Sequence, residues 1–259
     1  MTPNGTEAGS GRTIRAVQIS CDVLRALREM DGAGVTELAD RLGLSKGTVH
    51  GHLNTLHRNE FVVKDGDDYR VSLQFVDFGE HAKENVKVYD VARKETEELA
   101  EKSGEFAQFM VEEHGWGVYL HKVNGANAVK TASYVGNRKH LHCTALGKAI
   151  LSELPRERVD EIVEARGLPR QTENTITDRE GLYDELERIR ERGIAYDDEE
   201  VLQGLRCVAA PLTGYDGTLY GAISVSGPIS RMKGERYREE VPEMVQSAAN
   251  VIEINAAHL

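Results

Sequence analysis

Apolar residues near the start of the chain recur every three or four positions, a spacing that predicts amphipathic helices. The first helix is predicted over about Thr13–Met30, with Thr13 as the N-cap and Gly32 and Gly34 after its end. Its apolar stripe consists of Ile14, Val17, Cys21, Leu24 and Leu27.

The second and third predicted helices are joined by a very short connection. The second is predicted to begin at the capping residue Thr36 and to end at Gly43, since glycine adopts the left-handed conformation at little cost. Ser45 is predicted to cap the third helix. Leu38, Ala39 and Leu42 of the second helix and Val49, Leu53 and Leu56 of the third are expected in one core.

A β-ribbon is predicted directly after these helices. Phe61–Val63 and Tyr69–Val71 have the composition of strands, and 65–67 reads Asp-Gly-Asp, a turn sequence. A helix-turn-helix followed by a ribbon is the plan of a winged helix, which places one helix in a DNA groove. We therefore assign Lys64 and Arg70 of the ribbon to the phosphate backbone.

The face of the third helix opposite its apolar residues carries small and polar side chains. Such residues at a helix N-terminus allow close approach to phosphate, because free amides point outward there. An ordinary solvated helix face is the alternative, but the capped helix pair and the ribbon favour DNA. The candidate DNA contacts are Arg12, Arg15, Ser45, Lys46, Gly47, Thr48, His50, Gly51, His52, Asn54, Lys64 and Arg70.

The second half of the chain alternates between strand and helix patterns. The segment 86–102 is charged and predicted to be a linker helix whose apolar face is too thin for a core helix. The strand and helix patterns that follow predict an α+β domain, large enough to enclose a small-molecule pocket. Strands are predicted at 107–111, 118–123, 129–135, 208–212 and 219–226, and helices at 145–154, 157–165, 178–192 and 235–257.

Length and composition narrow the class of protein. A chain of 259 residues favours two domains. No apolar run is long enough for a bilayer and no secretory leader is visible, so a cytoplasmic protein without a membrane partner is expected. The first 11 residues are polar and Gly-rich and are predicted to be disordered. The three cysteines are scattered, which indicates reduced thiols rather than a disulfide scaffold.

The net charge of −11 is unusual for a DNA-binding protein. Even residues 1–85 contain only 10 Lys and Arg against 13 Asp and Glu. Two explanations remain open, and both can hold. Either the basic residues of this segment cluster on one face, or the acidic, lysine-poor surface is adapted to a high-salt cytoplasm, where binding depends more on base contacts and multiple subunits.

Two motifs of the second half resemble a known family. Residues 141–151 read Leu-His-Cys-Thr-Ala-Leu-Gly-Lys-Ala-Ile-Leu, and 193–211 run from Gly-Ile-Ala-Tyr-Asp to Val-Ala-Ala-Pro, followed by Ala-Ile-Ser-Val-Ser-Gly-Pro at 222–228. Together with the winged helix they resemble the IclR family of transcriptional regulators, over roughly residues 12–258. The acidic composition suggests a member of haloarchaeal type.

The resemblance implies both architecture and partners. After the tail at 1–11, which its composition predicts to be disordered, the resemblance implies a winged helix-turn-helix at 12–82, a linker helix at 83–103 and a GAF-like effector-binding domain at 104–259. It further implies a homodimer or dimer of dimers on a pseudo-palindromic double-stranded operator, and control of carbon-source catabolism genes. The effector it implies is a small carboxylate or sugar acid.

The resemblance also carries over a set of effector contacts. It places ligand at the amides of Ala145 and Leu146, where Thr144 as a helix cap would leave these amides free for a carboxylate. Ser224 and Ser226 are two apart on a predicted strand and so share a face. Local backbone satisfaction for the serines and core filling for Cys207 are the competing explanations. The full set is Ala145, Leu146, Asp197, Cys207, Ser224 and Ser226.

One position departs from the family pattern. The family often has Arg where this chain has Gly51, which removes a long base-reading side chain. Base reading is then left to Lys46, His50 and His52.

Other chemistries are less well supported. Gly147-Lys148 resembles the end of a phosphate-binding loop, but the loop's first glycine and its Ser/Thr are missing, so Lys148 is expected on a solvated helix face. His140, His142 and Cys143 lack a second ligand cluster for zinc. An enzyme using Cys207 lacks a catalytic signature. We therefore predict no cofactor, metal or catalytic residue. The alternatives that stay open are a ligand-independent DNA-binding assembly module and an enzyme that uses Cys207.

Overall fold

The computed structural model describes residues 13–128 and 133–257. These residues form two compact units, which meet in sequence between Asn85 and Val86. We call them the N-terminal unit and the C-terminal unit. Within the described ranges, no helix has both the length and the apolar character needed to cross a bilayer.

The N-terminal unit contains four helices and a small antiparallel sheet in its described part. The sheet has the strand order β1-β3-β2, so the ribbon β2–β3 is extended by the short strand β1. The elements are α1 (Arg15–Glu29), β1 (Ala33–Gly34), α2 (Val35–Leu42), α3 (Lys46–Arg58), β2 (Val62–Asp65), β3 (Asp68–Val71) and α4 (Gln74–Glu84).

The core of the N-terminal unit confirms most of the predicted apolar faces. Val49, Leu53 and Leu56 of α3 are buried against Leu38 and Ala39 of α2. The predicted stripe of α1 is wrong at its beginning, because Ile14 and Val17 are 68% and 57% exposed. The buried face of α1 lies one turn later, at Val23, Ala26 and Leu27.

Two of the four predicted helix starts and ends differ from the structure. Gly43 ends α2 with a φ of +64°, and the Thr48 amide donates to Ser45 Oγ at 3.1 Å, as predicted. Thr36 is not the cap of α2, because the helix begins at Val35, and Gly34 at the N-cap donates its amide to Glu37 Oε2 at 3.1 Å. Thr13 is not the cap of α1, whose N-cap is Ile14.

The C-terminal unit is a six-stranded antiparallel sheet with helices on both faces. The strand order is β6-β5-β4-β9-β8-β7. The elements are α5 (Tyr89–Ser103), β4 (Phe106–Glu113), β5 (Trp116–Asn124), β6 (Arg138–Lys139), α6 (Ala145–Glu153), α7 (Arg156–Arg166), α8 (Arg179–Arg192), β7 (Ala195–Asp198), β8 (Leu205–Thr213), β9 (Leu219–Pro228), a π-helical turn (Arg236–Glu240) and α9 (Val241–Ala256).

Each face of the sheet has its own apolar core. On one face α5 and α9 cover Phe109, Ile223 and Val225. On the other face α6, α7 and α8 cover Met110, Ala209 and Ala222. The predicted α+β architecture, with helices on the faces of antiparallel strands, is confirmed.

The helix α5 is a core helix, so the prediction of too thin an apolar face is wrong. Ala92, Leu99 and Ala100 are buried in the core beneath the sheet. Two polar residues complete the buried face, because their hydroxyls donate to the helix's own carbonyls: Thr96 to Ala92 at 2.6 Å and Ser103 to Leu99 at 2.7 Å. The predicted single helix 83–103 is interrupted between α4 and α5.

Strand β7 was not predicted, and one predicted strand differs. Residues 129–132 of the strand predicted at 129–135 lie outside the described residues, and 133–135 are not in a strand. The strand that pairs with β5 is instead β6, Arg138–Lys139.

Candidate functional site

The open face of α3 begins at its capped N-terminus. Lys46, Gly47, His50 and Asn54 are exposed, and Thr48 is half-buried with its hydroxyl 2.8 Å from Ser45 Oγ. A Cβ at Gly51 would meet nothing within 4 Å, so packing does not require glycine there. Because Gly51 has no side chain, a partner can approach the backbone of α3 closely at this point.

One predicted base-reading residue has a contact within the unit. His52 lies next to Leu53 on the flank of α3, and its Nδ1 is 2.8 Å from Ser20 Oγ of α1. This contact joins two helices of the unit. The role of His52 in base reading stays a prediction.

The two basic residues of the ribbon lie on opposite faces of it. Lys64 is paired with Tyr69 across the ribbon, with its Nζ 5.6 Å from the Tyr69 ring centroid, whereas Arg70 is paired with Val63. Successive residues of a strand point to opposite faces, so Arg70 faces away from Tyr69. Both basic side chains are exposed.

Some cations of the N-terminal unit are paired with carboxylates and others are not. Arg25, Arg41 and Lys83 form ion pairs with Asp22, Glu29 and Glu80. Four of the predicted DNA contacts are described Lys or Arg residues, and none of them forms an ion pair with a described carboxylate. They are Arg15, Lys46, Lys64 and Arg70. Their charge is therefore available to a polyanion. Arg12 lies outside the described residues.

The wing tip, which we define as residues 65–68, is acidic. Asp65, Asp67 and Asp68 are all exposed around Gly66, whose φ is +60°. Three carboxylates at the tip of a wing oppose contact with phosphates.

In the C-terminal unit, the start of α6 is built as predicted. Thr144 is the N-cap, and its Oγ1 accepts from the Gly147 amide at 2.9 Å. No acceptor among the described residues bonds the amides of Ala145 and Leu146, which line a cavity of about 250 Å³. A Cβ at Gly147 would collide with the Leu141 carbonyl, so this glycine lets the helix start pack closely on 141. We call the space the α6 cavity.

All six predicted effector contacts line the α6 cavity. The sheet register explains the convergence: Ser226 is paired with Cys207, and Cys207 with Asp197, so the three share a face across β9, β8 and β7. Ser224 lies two residues before Ser226 on that face. The predicted residues lining the cavity are Ala145, Leu146, Asp197, Cys207, Ser224 and Ser226.

A chain of hydrogen bonds crosses the cavity floor. Lys122 Nζ donates to Gln108 Oε1 at 3.2 Å, and Gln108 Nε2 donates to Ser226 Oγ at 2.6 Å. Cys207 lies beside Ser226 and Asp197 in the sheet register. The hydrogen bonds hold the floor in one arrangement from β5 to β9.

The buried groups of the floor have shifted pKa values. Asp197 is only 2% exposed, and burial raises its pKa to about 6 although the Glu200 amide donates to it at 2.7 Å. Burial raises the pKa of the Cys207 thiol well above its usual range. The thiol therefore stays protonated, whereas a nucleophilic cysteine needs a lowered pKa.

Ser224 differs from the other polar groups of the floor. Its side chain is 0% exposed, and its Oγ has no hydrogen-bond partner in the described structure. A buried hydroxyl without a partner costs free energy unless a ligand or water supplies one. The Ser224 hydroxyl is thus available to an occupant of the cavity.

Lys148 is not on a solvated helix face, so this prediction is wrong. The side chain is 1% exposed and forms a short ion pair with Glu200. Burial raises the pKa of Glu200 to about 7, with Lys148 opposing the shift. Glu200 Oε2 has no hydrogen-bond partner in the described structure. Because a buried lysine is expensive without a partner, its position is determined by a carboxylate far away in sequence.

The histidine group near the cavity is held by backbone contacts. His142 Nε2 lies 3.2 Å from the Pro169 carbonyl, and Cys143 contacts the His140 carbonyl. Burial lowers the pKa of His142 to about 4, so the imidazole is neutral near pH 7. The described residues include no group of metal-ligating side chains close enough to hold an ion.

Sequence reasoning missed several cavity residues. Gln108 and Phe106 alternate with the apolar residues used to predict β4, and the polar Gln108 on the covered face was the available signal. Tyr119 and Lys139 line the cavity from β5 and β6. Lys139 was missed because the edge strand was predicted at 129–135, whereas Tyr119 lies in a correctly predicted strand and no pattern singled it out.

The chain matches two family models. The model described as "Bacterial transcriptional regulator IclR C-terminal" matches residues 80–254, and the IclR helix-turn-helix domain matches residues 16–66. Similar curated proteins include the probable HTH-type transcriptional regulator ArcR of Halobacterium salinarum, 30% identical over 98% of both chains. The HTH-type transcriptional regulator KdgR of Escherichia coli is 34% identical over 89% of this chain and 88% of its own.

Solved structures share the fold. The Thermotoga maritima IclR structure is 26% identical with a TM-score of 0.75, covering 94% of this chain and 97% of its own. An IclR homologue from Microbacterium hydrocarbonoxydans, complexed with 4-hydroxybenzoate, has a TM-score of 0.81 at 19% identity, covering 94% of this chain and 100% of its own.

Proposed function

Because this chain belongs to the IclR family of transcriptional regulators, we propose that its winged helix binds a pseudo-palindromic operator under the control of a small acid in the α6 cavity. The observation that carries the proposal is the convergence of six predicted effector contacts on one cavity. The family assignment makes the chain a DNA-binding transcriptional regulator.

We assign the DNA contact to the open face of α3. Its N-terminal amides and Lys46 contact phosphate, and His50 and Asn54 are the side chains within reach of base edges. Arg15, Lys64 and Arg70 add phosphate contacts. Gly51 takes part through close approach of the helix backbone.

We assign the effector contact to the start of α6. A carboxylate at this position accepts hydrogen bonds from the amides of Ala145 and Leu146, favoured by the positive end of the helix. Hydroxyl groups of the same ligand bond to Ser224, Ser226 and Asp197. Small carboxylates and sugar acids have this combination of groups, which fits control of carbon-source catabolism genes.

A dimer or dimer of dimers places two α3 helices in successive major grooves. Effector and operator binding are then linked, so DNA changes effector affinity by the same factor by which effector changes DNA affinity.

The DNA assignment is tested by fluorescence anisotropy with duplex from upstream of the gene and a shuffled duplex. Thr48→Ala, at the start of α3, is expected to weaken binding to the gene's own duplex about tenfold or more, since contacts that discriminate bases are each worth about 1–3 kcal/mol. Arg70→Ala removes a phosphate contact and is expected to weaken binding to both duplexes alike. Arg25→Ala is the matched control, because Arg25 is exposed but paired with Asp22.

The salt dependence separates the two explanations of the acidic charge. Selective binding that persists at molar salt supports adaptation to high salt, whereas affinity that collapses above physiological salt supports a local basic cluster. Equal affinity of both duplexes in wild type and variants, at either salt, would contradict sequence-specific recognition by α3.

The effector assignment is tested by thermal unfolding with D-gluconate and with 4-hydroxybenzoate. A ligand that binds only the native state stabilises it by about 2.7 kcal/mol at a concentration of a hundred times Kd. Tm therefore rises as the ligand concentration is increased. An unchanged Tm with all small acids would favour the alternative, a DNA-binding module whose second unit serves only assembly.

A further inference from the structure

The α6 cavity has a basic end and an acidic end. Lys122 of β5 is paired with Gln108 of β4, and Gln108 with Ser224 of β9, so these three side chains lie in one row on the same face of the sheet. Gln108 and Ser224 line the cavity, and the Lys122 ammonium lies directly behind its lining residues Gln108 and Ser133. The next row runs through Ser226 and Cys207 to Asp197 on β7.

Lys122 supplies a positive charge that no described carboxylate neutralises. Its ammonium group lies 3.7 Å from the Tyr119 ring centroid and 4.8 Å from that of Phe106, and both rings line the cavity. It donates to the neutral groups Gln108 Oε1 and Ser133 Oγ. Among the described residues, no Asp or Glu oxygen lies within ion-pair distance of this nitrogen.

This ammonium is costly in the empty protein. It is half-buried on β5 and faces a second cation, Lys139 on β6. Burial and Lys139 together lower the pKa of Lys122 to about 7. Aromatic rings and neutral acceptors stabilise a cation only in part, so an anion placed beside Lys122 would gain more than at a solvated lysine.

The opposite end of the floor disfavours an anion. Asp197 is buried, accepts a hydrogen bond from the Glu200 amide and lies opposite Cys207 across β7 and β8. A second carboxylate there would be repelled, whereas a hydroxyl can donate to Asp197. Between the two ends lies the unpartnered hydroxyl of Ser224.

We propose that Lys122 is an effector-binding residue that neutralises the acidic group of a hydroxylated acid, whose hydroxyl groups extend towards Ser224 and Asp197. The inference rests on the proposed effector function of the α6 cavity. It adds the cation to the Ala145 and Leu146 amides, and it fixes the direction in which the ligand lies on the floor.

Binding of an acid beside Lys122 then favours the protonated form of this lysine. The free protein at pH 8 has about one Lys122 in ten protonated, since the pKa is about 7. Apparent affinity falls with the fraction of binding-competent protein, so an acid binds about tenfold more weakly at pH 8 than at pH 6. The groups facing Lys122 are Tyr119 and Lys139, with Cys207 and Asp197 farther along the floor. Asp197 and Glu200 titrate near 6 and 7.

The experiment measures Kd of the full chain for D-gluconate by calorimetry at pH 6, 7 and 8. Lys122→Met is expected to weaken binding at pH 6 at least tenfold. Lys122→Arg is expected to bind at pH 6 and to lose most of the decline towards pH 8, because arginine stays protonated. Any decline that remains in Lys122→Arg belongs to Asp197 and Glu200.

Controls separate the inference from the function on which it rests. Lys94→Met removes an exposed lysine of α5 and is expected to leave every Kd unchanged. Uncharged D-glucitol tests the charge: wild type binding glucitol as well as gluconate, or Lys122→Met binding gluconate like wild type, would overturn the role of Lys122 while keeping the cavity. Wild type binding neither gluconate nor 4-hydroxybenzoate at any pH would contradict the effector site itself, and the inference with it.

Discussion

The hydroxyl groups of Ser224 and Ser226 are two residues apart on β9, yet they contribute differently to stability. Ser226 accepts from Gln108 at 2.6 Å, whereas Ser224 has no partner among the described residues. Without a ligand, burial of the Ser224 hydroxyl lowers the stability of the fold, whereas the Ser226 hydroxyl is compensated by its hydrogen bond.

Ser224→Ala is expected to stabilise the empty protein by about 1 kcal/mol, because it removes an unsatisfied buried hydroxyl worth about 1–3 kcal/mol. This corresponds to a rise in Tm of about 2–4 °C. Ser226→Ala is the matched control and is expected to lower Tm, since it leaves the Gln108 amide unpaired. A lower Tm in both variants, measured without ligand by thermal unfolding, would show that Ser224 has a partner in solution.

The carboxylates of the wing tip are also a matter of single residues. Asp67→Asn removes one exposed negative charge near Lys64 and Arg70. We expect DNA affinity to rise up to about fivefold at low salt, as expected for exposed charges worth about 0.2–1 kcal/mol, and to be unchanged at molar salt. Asp77→Asn on α4 is the control, and equal gains in both variants would indicate a general charge effect rather than contact by the wing.

At the scale of elements, the ion pair between Lys148 and Glu200 connects α6 to the segment after β7. Glu200 also donates its amide to Asp197, so the pair supports the acidic end of the α6 cavity. Lys148→Met alone is expected to cost about 3–5 kcal/mol, because Glu200 is left buried without its cation.

The double variant Lys148→Met with Glu200→Met is expected to recover most of that loss, since apolar side chains often replace a buried pair at little cost. Chemical denaturation of the two single variants and the double variant measures the coupling. Additive losses would contradict a direct contribution of the pair to stability.

The elements that could be predicted from sequence are those whose signals are local. The end of α2 at Gly43 and the start of α3 at Ser45 depend on residues within a few positions, and they were predicted correctly. The cap of α6 at Thr144 is local in the same way. The six effector contacts were found through resemblance, and their convergence depends on strand register.

The elements that could not be predicted depend on distant partners. Strand β7 contains a buried aspartate and little apolar character, and it forms because β8 pairs with it. Lys148 appears solvated in sequence because its carboxylate lies 52 residues away. Thr96 and Ser103 appear polar, but their hydroxyls bond within α5 and leave a buried face.

At the scale of the whole molecule, the net charge of −11 and a DNA-binding function are compatible. In the N-terminal unit several cations outside the proposed DNA contacts are paired with carboxylates, whereas those on α3 and the ribbon are not. The total charge therefore says little about the local field at α3. Two subunits on one operator would double this field without any change in composition.

The burial of α5 determines where the C-terminal unit, the proposed effector sensor, can be joined to another DNA-binding domain. Val88 and Ala92 are buried with the sheet, and the chain changes from one compact unit to the other at Asn85 and Val86. A hybrid regulator that joins a foreign winged helix at Val86 carries the complete sensor. A hybrid joined at Gly104, where strand signals first appear, would lack α5. The apolar face of the sheet that α5 covers would then be exposed to solvent and prone to aggregation.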